Sequence, residues 1–456
     1  MNTGLPKDIV QQIMKAEQIP VKKMEYRKEK VQDKMNLLEQ FTQLVEGMRG
    51  EVLKNKSARS LRELKVNTNE EILNVVADKN IANPGSYKLE VMELAQKSSA
   101  MTNGVKDKDQ TYLGVGYISY KLPNGEKKEI YVDKENSSLS GVARLINQSD
   151  IGINATVVND GKDSKKPYRL ILSLDETGKA NKANFPYFYF VDGQTDLYLD
   201  QERPAQNAKV KLDGFEIELA ENKLSDVIPG VTVDLKKAKP GEEVSIEISE
   251  DTVQITEKVS TLVESINEVL TFIREQNAVD ESTDTSRTLG GDSSLKSLEA
   301  RLRGTIFTPV ETSFGNKRIG DLGIVFNRNG TLDFDEQKFE KEVAGNYKLV
   351  SEILTGYYKA DGVKTDGFVE RLDEVANQAL RPPTGLLHSR KTGLRQNINQ
   401  IDQRISDKQR QLEQKERVLK EKFTRLEETV SRIKGQGAGL AGFGAMPNPA
   451  APNMAG

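Results

Sequence analysis

Hydrophobic positions fall into two rhythms along this chain, a helical one at both ends and a period of two between them. In the opening stretch DIVQQIMKAEQIP, Ile9, Val10, Ile13 and Met14 make one narrow helical stripe, and Pro20 breaks or hinges it from the next segment. From residue 22 to about residue 62 there is no proline. There Met24, Val31, Leu38 and Val45 recur every seven residues, supported by Met35, Phe41 and Met48, as in a bundle or coiled-coil seam. At the other end Ile398, Ile405, Leu412, Leu419, Leu426 and Ile433 keep strict heptad spacing. Their companion row begins with Leu394 and Ile401, fails at Lys408, Lys415 and Lys422, and is replaced by Phe423 and Val430. So thin and drifting a stripe suits one partner helix at a time, most economically the N-terminal helix of the same chain, with apolar surface left for a second partner.

The middle alternates. SYKLEVMEL points Tyr87, Leu89 and Val91 to one face, and INATVVND and YRLILSLDE flank a loop at 161–167 as a hairpin would. AKVKLDGFEIEL holds Asp213-Gly214 between alternating apolar residues, which predicts a two-residue turn. VTVDL and EVSIEIS continue the pattern across Pro240-Gly241, so 76–252 reads as one or two antiparallel β domains. Helical spacing returns in VSTLVESINEVLTFI, and a Ser/Thr/Asp/Gly loop at 280–291 precedes SSLKSLEARLRG. The fold class is therefore α+β and multidomain, a terminal coiled-coil or helical-bundle leg with inserted antiparallel β-rich domains.

Composition narrows the function. A net charge of −3 argues against a general nucleic-acid binder, and no stretch approaches the roughly 20 apolar residues of a membrane span. Cysteine is absent and histidine occurs once, as His388, so no thiolate chemistry is available and the commonest general base appears once. His388 reads as a solvated side chain beside Arg390 and Lys391, and the basic bias of 390–434 as the charged outside of a helix.

Three motifs resemble sites without completing them. Gly437, Gly439 and Gly442 match a dinucleotide fingerprint but follow a helix instead of a strand. VFNRNGTLDFDE has calcium-loop spacing through Asn327, Asn329, Gly330, Asp333 and Glu336, yet Val325 stands at the first ligand position and IGDLGIVF reads as a strand where a helix is needed. An Asn329-Gly330 turn and a helix capped by Asp333 or Asp335 account for it. Asp192, Asp196 and Asp200 beside FPYFYF fit turn and strand-surface residues, and the aromatic run Phe185, Tyr187, Phe188, Tyr189, Phe190 fits a β core with an exposed, contact-capable face. No catalytic, metal or cofactor site is expected.

Several stretches, in order, resemble the bacterial flagellar filament cap family, flagellar hook-associated protein 2. They are Gly4-Leu5 with Ile9, Val10, Met14, Glu17 and Pro20; NPGSYKLEVMELAQ; LINQSDIGINATVVND with YRLILSLDETGKAN; LSDVIPGVTVDLK; LGGDSSLKSLEARLRG; IGDLGIVFNRNGTLDFDEQKF; and LEQKERVLKEKFTRLEETVSRIK. Residues 103–138 and the uncharged tail after Lys434 lie outside these matches.

The resemblance implies mobile N-terminal leg helices at 1–40, a helical domain from 41–75 and 253–388, and a β domain at 76–200 carrying a repeat shared with other flagellar axial proteins. It further implies a second β domain at 201–252 and a C-terminal leg at 389–434, while the uncharged Gly/Ala/Pro-rich composition of 435–456 predicts a disordered tail. It implies a homo-oligomeric ring at the filament tip, outside the cell, exported without a cleaved signal peptide. The implied partners are flagellin, an export chaperone and the hook–filament junction proteins. Contact residues expected on that basis are Ile9, Val10, Ile13, Met14, Leu419, Phe423, Leu426 and Val430. A surface-binding module at the tip, or another flagellar axial protein, is the alternative.

Overall fold

The computed structural model describes residues 9–121, 126–161, 165–182, 184–278 and 284–443, with side chains to residue 436. The chain forms two compact units, one from Met1–Leu61 with Thr256–Gly456 and the other from Arg62–Ile255.

In chain order, α1 (Ile9–Glu17) gives way at Gln18 to α2 (Ile19–Lys54), with Pro20 in its first turn, where a missing N–H costs nothing. A short α3 (Ala58–Leu61) closes the first helical segment. Strands β1 (Leu64–Asn67) and β2 (Leu73–Ala77) follow, so the helical segment expected to reach residue 75 ends at Leu61. The reason lies in LKVN and LNVVA, whose β-branched residues and period-two burial favour strands.

The remaining strands of this unit are β3 (Gly85–Glu93), β4 (Lys97–Thr102), β5 (Val115–Lys121) and β6 (Lys127–Val132), then α4 (Leu139–Gln148). After it come β7 (Ile153–Asn159), β8 (Tyr168–Thr177), β9 (Tyr187–Val191), β10 (Leu199–Arg203) and β11 (Ala208–Leu212). The last are β12 (Phe215–Leu219), β13 (Lys223–Ile228), β14 (Val231–Leu235) and β15 (Glu243–Glu250).

Pairing corrects the expected division at residue 200. One five-stranded sheet has the order β1-β15-β3-β11-β12, and a three-stranded sheet the order β13-β14-β2. Together they bury Leu73, Leu89, Val91, Val210, Val233 and Ile246 in one core. Strands from before residue 97 and after residue 204 thus build one domain. Nested within it, sheets β10-β4-β8-β7 and β6-β5-β9 with α4 surround a separate core containing Ile118, Leu139, Ile146, Leu170 and Leu172. Residues 103–138, outside the family matches, supply β5 and β6 of this nested domain.

Local chemistry sets the hairpins. β7 and β8 pair as expected, and β11 and β12 join through Asp213 (φ 48°) and Gly214 (φ 87°), the left-handed pair that a tight twisted turn requires. VTVDL and EVSIEIS do form strands but lie in different sheets, because β15 pairs with β3 and β1 while β14 pairs with β13 and β2.

The chain returns through α5 (Thr252–Asn277) and α6 (Ser293–Phe307), the latter capped by Asp292, which accepts from Ser294 N. Two short hairpins follow, β16 (Val310–Thr312) with β17 (Gly315–Lys317), and β18 (Ile324–Phe326) with β19 (Leu332–Phe334). Helices α7 (Glu336–Thr355), α8 (Phe368–Leu380) and α9 (Leu386–Phe443) complete the unit. α9 is one helix of 58 residues. It corrects the expected tail at its near end, since 435–443 is helical: no proline interrupts the Ala- and Leu-containing run before Pro447. The rest of the expected tail, 444–456, and residues 1–8 of the expected leg lie outside the described residues.

Candidate interaction surfaces

α9 runs antiparallel to α1 and α2. Ion pairs mark the register: Lys391 with Glu39 at 2.8 Å, Lys28 with Asp402 at 2.6 Å and Lys415 with Glu17 at 2.8 Å. The Lys415 ammonium, donating to Glu17, holds that carboxyl below its usual range. Between these rails lies a slim cluster of Met14, Val21, Ile401, Ile405 and Leu412, with Val10, Met24, Val31 and Leu419 packed on its edge. Nearer the body of the unit, Leu38, Val45, Met35, Phe41 and Met48 are buried, and the rings of Phe41 and Phe272 stack with centroids 5.1 Å apart. Ile398 is half-buried beside buried Leu394 and Ile401, so the companion row faces inward there.

Beyond Lys415 the seam opens. Eight residues before Glu17, Ile9 is the first described residue of α1 and comes level with Phe423 on the opposite helix. Ile9, Val10 and Ile13 are half-buried, as are Leu419, Phe423 and Val430, whereas Leu426 is 46% and Ile433 60% exposed. The structure therefore packs Met14 and Val10 in one cluster with Leu412 and Leu419 of α9, with Ile9 and Ile13 half-buried on the same short helix. It leaves Leu426, Val430 and Ile433 beyond the first described residue of α1.

A cluster that sequence reasoning missed ties the loop before α6 to α2. Arg287 donates to Glu29 (3.2 Å) and to Asp33, and its guanidinium lies 5.2 Å from the Tyr26 ring. Its hydrogen bonds to Glu29, then Asp33 and Tyr26, push its pKa upward. Lys30 adds an ion pair to Asp284 at 3.3 Å. These partners are more than 250 residues apart, so no spacing could reveal them.

The site-like motifs resolve locally. Asn327 Oδ1 accepts from Thr331 N and its amide donates to Thr331 and Asp333, so the calcium-like spacing is a β18–β19 turn, and Asp335 caps α7 by accepting from Lys338 N. IGDLGIVF is a 3₁₀ turn (Ile319–Leu322) followed by β18, not one strand. His388 is exposed in the first turn of α9, and the glycine fingerprint lies within that helix. Asp200 pairs with Arg169 at 3.0 Å, and Arg169 also holds Asp160, so a distant arginine that no local pattern indicated joins the acidic cluster. Among the described residues no group of three or more His, Asp or Glu side chains could hold a metal ion, and no helix is long and apolar enough to cross a membrane.

Comparison with known proteins places this architecture. The family model for the flagellar hook-associated protein 2 C-terminus matches residues 205–435, half of the chain, and that for the N-terminus of the same protein matches residues 4–98. The chain is 26% identical over 384 residues to the B-type flagellar hook-associated protein 2 of Pseudomonas aeruginosa, covering 77% of each. It is 26% identical over 345 residues to the lateral flagellar hook-associated protein 2 of Vibrio parahaemolyticus, covering 71% of this chain and 72% of that one. The fold is like that of the D1-D2-D3 domains of the flagellar cap protein FliD from Escherichia coli, with a TM-score of 0.55 and 19% identity over 79% of this chain and all of that one. On these matches the chain belongs to the flagellar hook-associated protein 2 family.

Proposed function

We propose that this protein caps the distal end of a bacterial flagellar filament, as a ring of identical subunits beneath which exported flagellin folds and joins the lattice. The observation that carries the reading is the paired family match across both ends of the chain, joined to a two-helix stalk whose apolar seam on α9 continues past the first described residue of α1. Ile9, Val10, Ile13 and Met14, with Leu419, Phe423, Leu426 and Val430, form the contact with the outermost flagellin subunits. A narrow seam suits such a contact. Burying two or three aliphatic side chains contributes about 1.5–3 kcal/mol each, enough to hold a subunit yet weak enough to release it as the filament lengthens.

The subunit works outside the cell, at the filament tip, escorted there by an export chaperone and seated first on the hook–filament junction proteins. Its role is structural, without catalysis. The test is Leu426→Asp. Because Leu426 is 46% exposed, the variant should melt close to the wild-type temperature while cells carrying it build short or absent filaments and leak flagellin into the medium. Full-length filaments in that strain would refute the assignment of the seam, and full-length filaments in a strain lacking the gene would refute the cap.

A further inference from the structure

The outward face of the β6-β5-β9 sheet is built from tyrosine. Alternation on β9 sends Phe188 and Phe190 toward the core of the nested domain and Tyr187, Tyr189 and Val191 to solvent. On β5, Ile118 and Tyr120 are buried while Tyr117 is exposed, and on β6 Val132 is buried while Tyr131 is exposed. Register then aligns them: Tyr117 lies opposite Tyr131 on one side and Tyr189 on the other, and Ser119 lies opposite Tyr187. The Tyr117 and Tyr131 rings approach to 5.3 Å between centroids.

Exposures of 48% (Tyr117), 57% (Tyr131), 63% (Tyr189) and 70% (Tyr187) leave about 500 Å² of aromatic surface open, at about 200 Å² for a whole side chain. That is near the upper limit for a patch that a monomer leaves bare. Two such faces together bury about 1,000 Å², the lower bound for a specific protein–protein contact.

Charge along the strands indicates what covers the face. At one end Lys121 and Lys127 stand directly opposite each other, an arrangement that like charges disfavour. Glu129, one step inward on the same face, offsets part of that charge, and Glu202 of β10 lines the same hollow as the two lysines. Past the strand ends at the other side stand two carboxylates, Asp133, which accepts from Asn136 N and Nδ2, and exposed Asp192, at a left-handed φ of 61°. A two-fold axis lying in the plane of the contact and crossing the strands reverses their direction, so each lysine end meets the partner's aspartate end. An axis along the strands would instead set lysine on lysine. The surface is complementary to itself.

We propose that this tyrosine face binds the same face of a second copy of the chain about such an axis, pairing subunits two at a time. This isologous contact is distinct from the head-to-tail contact that closes a ring, and it does not depend on the capping role.

The full-length chain contains no cysteine, so Ser119→Cys places a single thiol among the tyrosines on the central strand. Face-to-face sheets lie about 10 Å apart, which a short bis-maleimide spans. Covalent dimer is expected from Ser119→Cys and not from Phe215→Cys, an exposed site at the β11–β12 hairpin. Adding Tyr117→Lys and Tyr189→Lys should cut the dimer yield at least about tenfold. Since those side chains point to solvent, circular dichroism should be unchanged, and Tyr187→Ser, a milder change at the same face, should lower the yield in the same direction. Equal linking from both thiols, a ladder extending past dimer, or a yield indifferent to the tyrosine substitutions would each overturn the proposal.

Discussion

At the residue scale, Asp373 on α8 accepts from Arg49 Nε on α2 at 3.0 Å and from Lys56 Nζ at 2.6 Å. Partial burial alone would raise its pKa, but the two cations outweigh burial and hold the carboxyl below the usual range. A depressed carboxyl stabilises the fold above the unfolded value near 3.9 and loses that contribution as pH falls through its folded value. Asp373→Asn should therefore cost about 1.5–3 kcal/mol at neutral pH, and the difference from wild type should close below about pH 4 in denaturant titrations. A steric case is Gly356, at φ 71°, where an added Cβ would lie 2.0 Å from the Thr365 carbonyl oxygen. Gly356→Ala should destabilise by roughly 2–4 kcal/mol, read from the denaturation midpoint. At this scale the sequence exposed local devices such as the Asp213-Gly214 turn and the Asp335 cap. It concealed Arg287 with Glu29 and Asp33, and Arg169 with Asp200, because those pairs meet only after the chain has folded back on itself.

At the element scale, the α1/α2–α9 seam contains two regimes that the heptads alone do not distinguish. Ile401 and Leu412 are buried against the opposing helices, whereas Leu426 and Ile433, in strict phase with Leu412, are solvated. Ile401→Ala should cost about 2–4 kcal/mol, the range for emptying a buried aliphatic site. Leu412→Asp should go further and detach α1 from α9, which faster amide exchange in Ile9–Glu17 would report. The hydrophobic repeat fixes which face of α9 is apolar, since its period is a property of helix geometry. Where that face finds a partner depends on the antiparallel register, which the ion pairs Lys28–Asp402 and Glu17–Lys415 report. The β elements behave alike: alternation placed VTVDL and EVSIEIS as strands, but only long-range pairing separates them into different sheets.

For the whole molecule, the unit Arg62–Ile255 is an insertion whose ends adjoin: Leu64 pairs with Glu250, and Asp251 N donates to Glu63 O at 2.8 Å. With both ends fixed in one strand pair and two cores of its own, this segment should fold when excised, showing cooperative thermal unfolding and dispersed amide resonances. A second insertion is nested within it, entering on β4 and leaving on β10, which are themselves paired at Ser99 and Arg203. By itself the sequence determined what neighbours along the chain decide: helical ends, alternating strands, tight turns, caps, the apolar stripe of α9 and, through several ordered motifs, the family. Only the tertiary structure decided the nesting of one β domain inside another, the alignment of tyrosines from three strands into one face, and the register in which the two sides of the stalk seam meet. Those depend on which segments separated by tens to hundreds of residues meet and in what register, and periodicity within a segment carries no information about that.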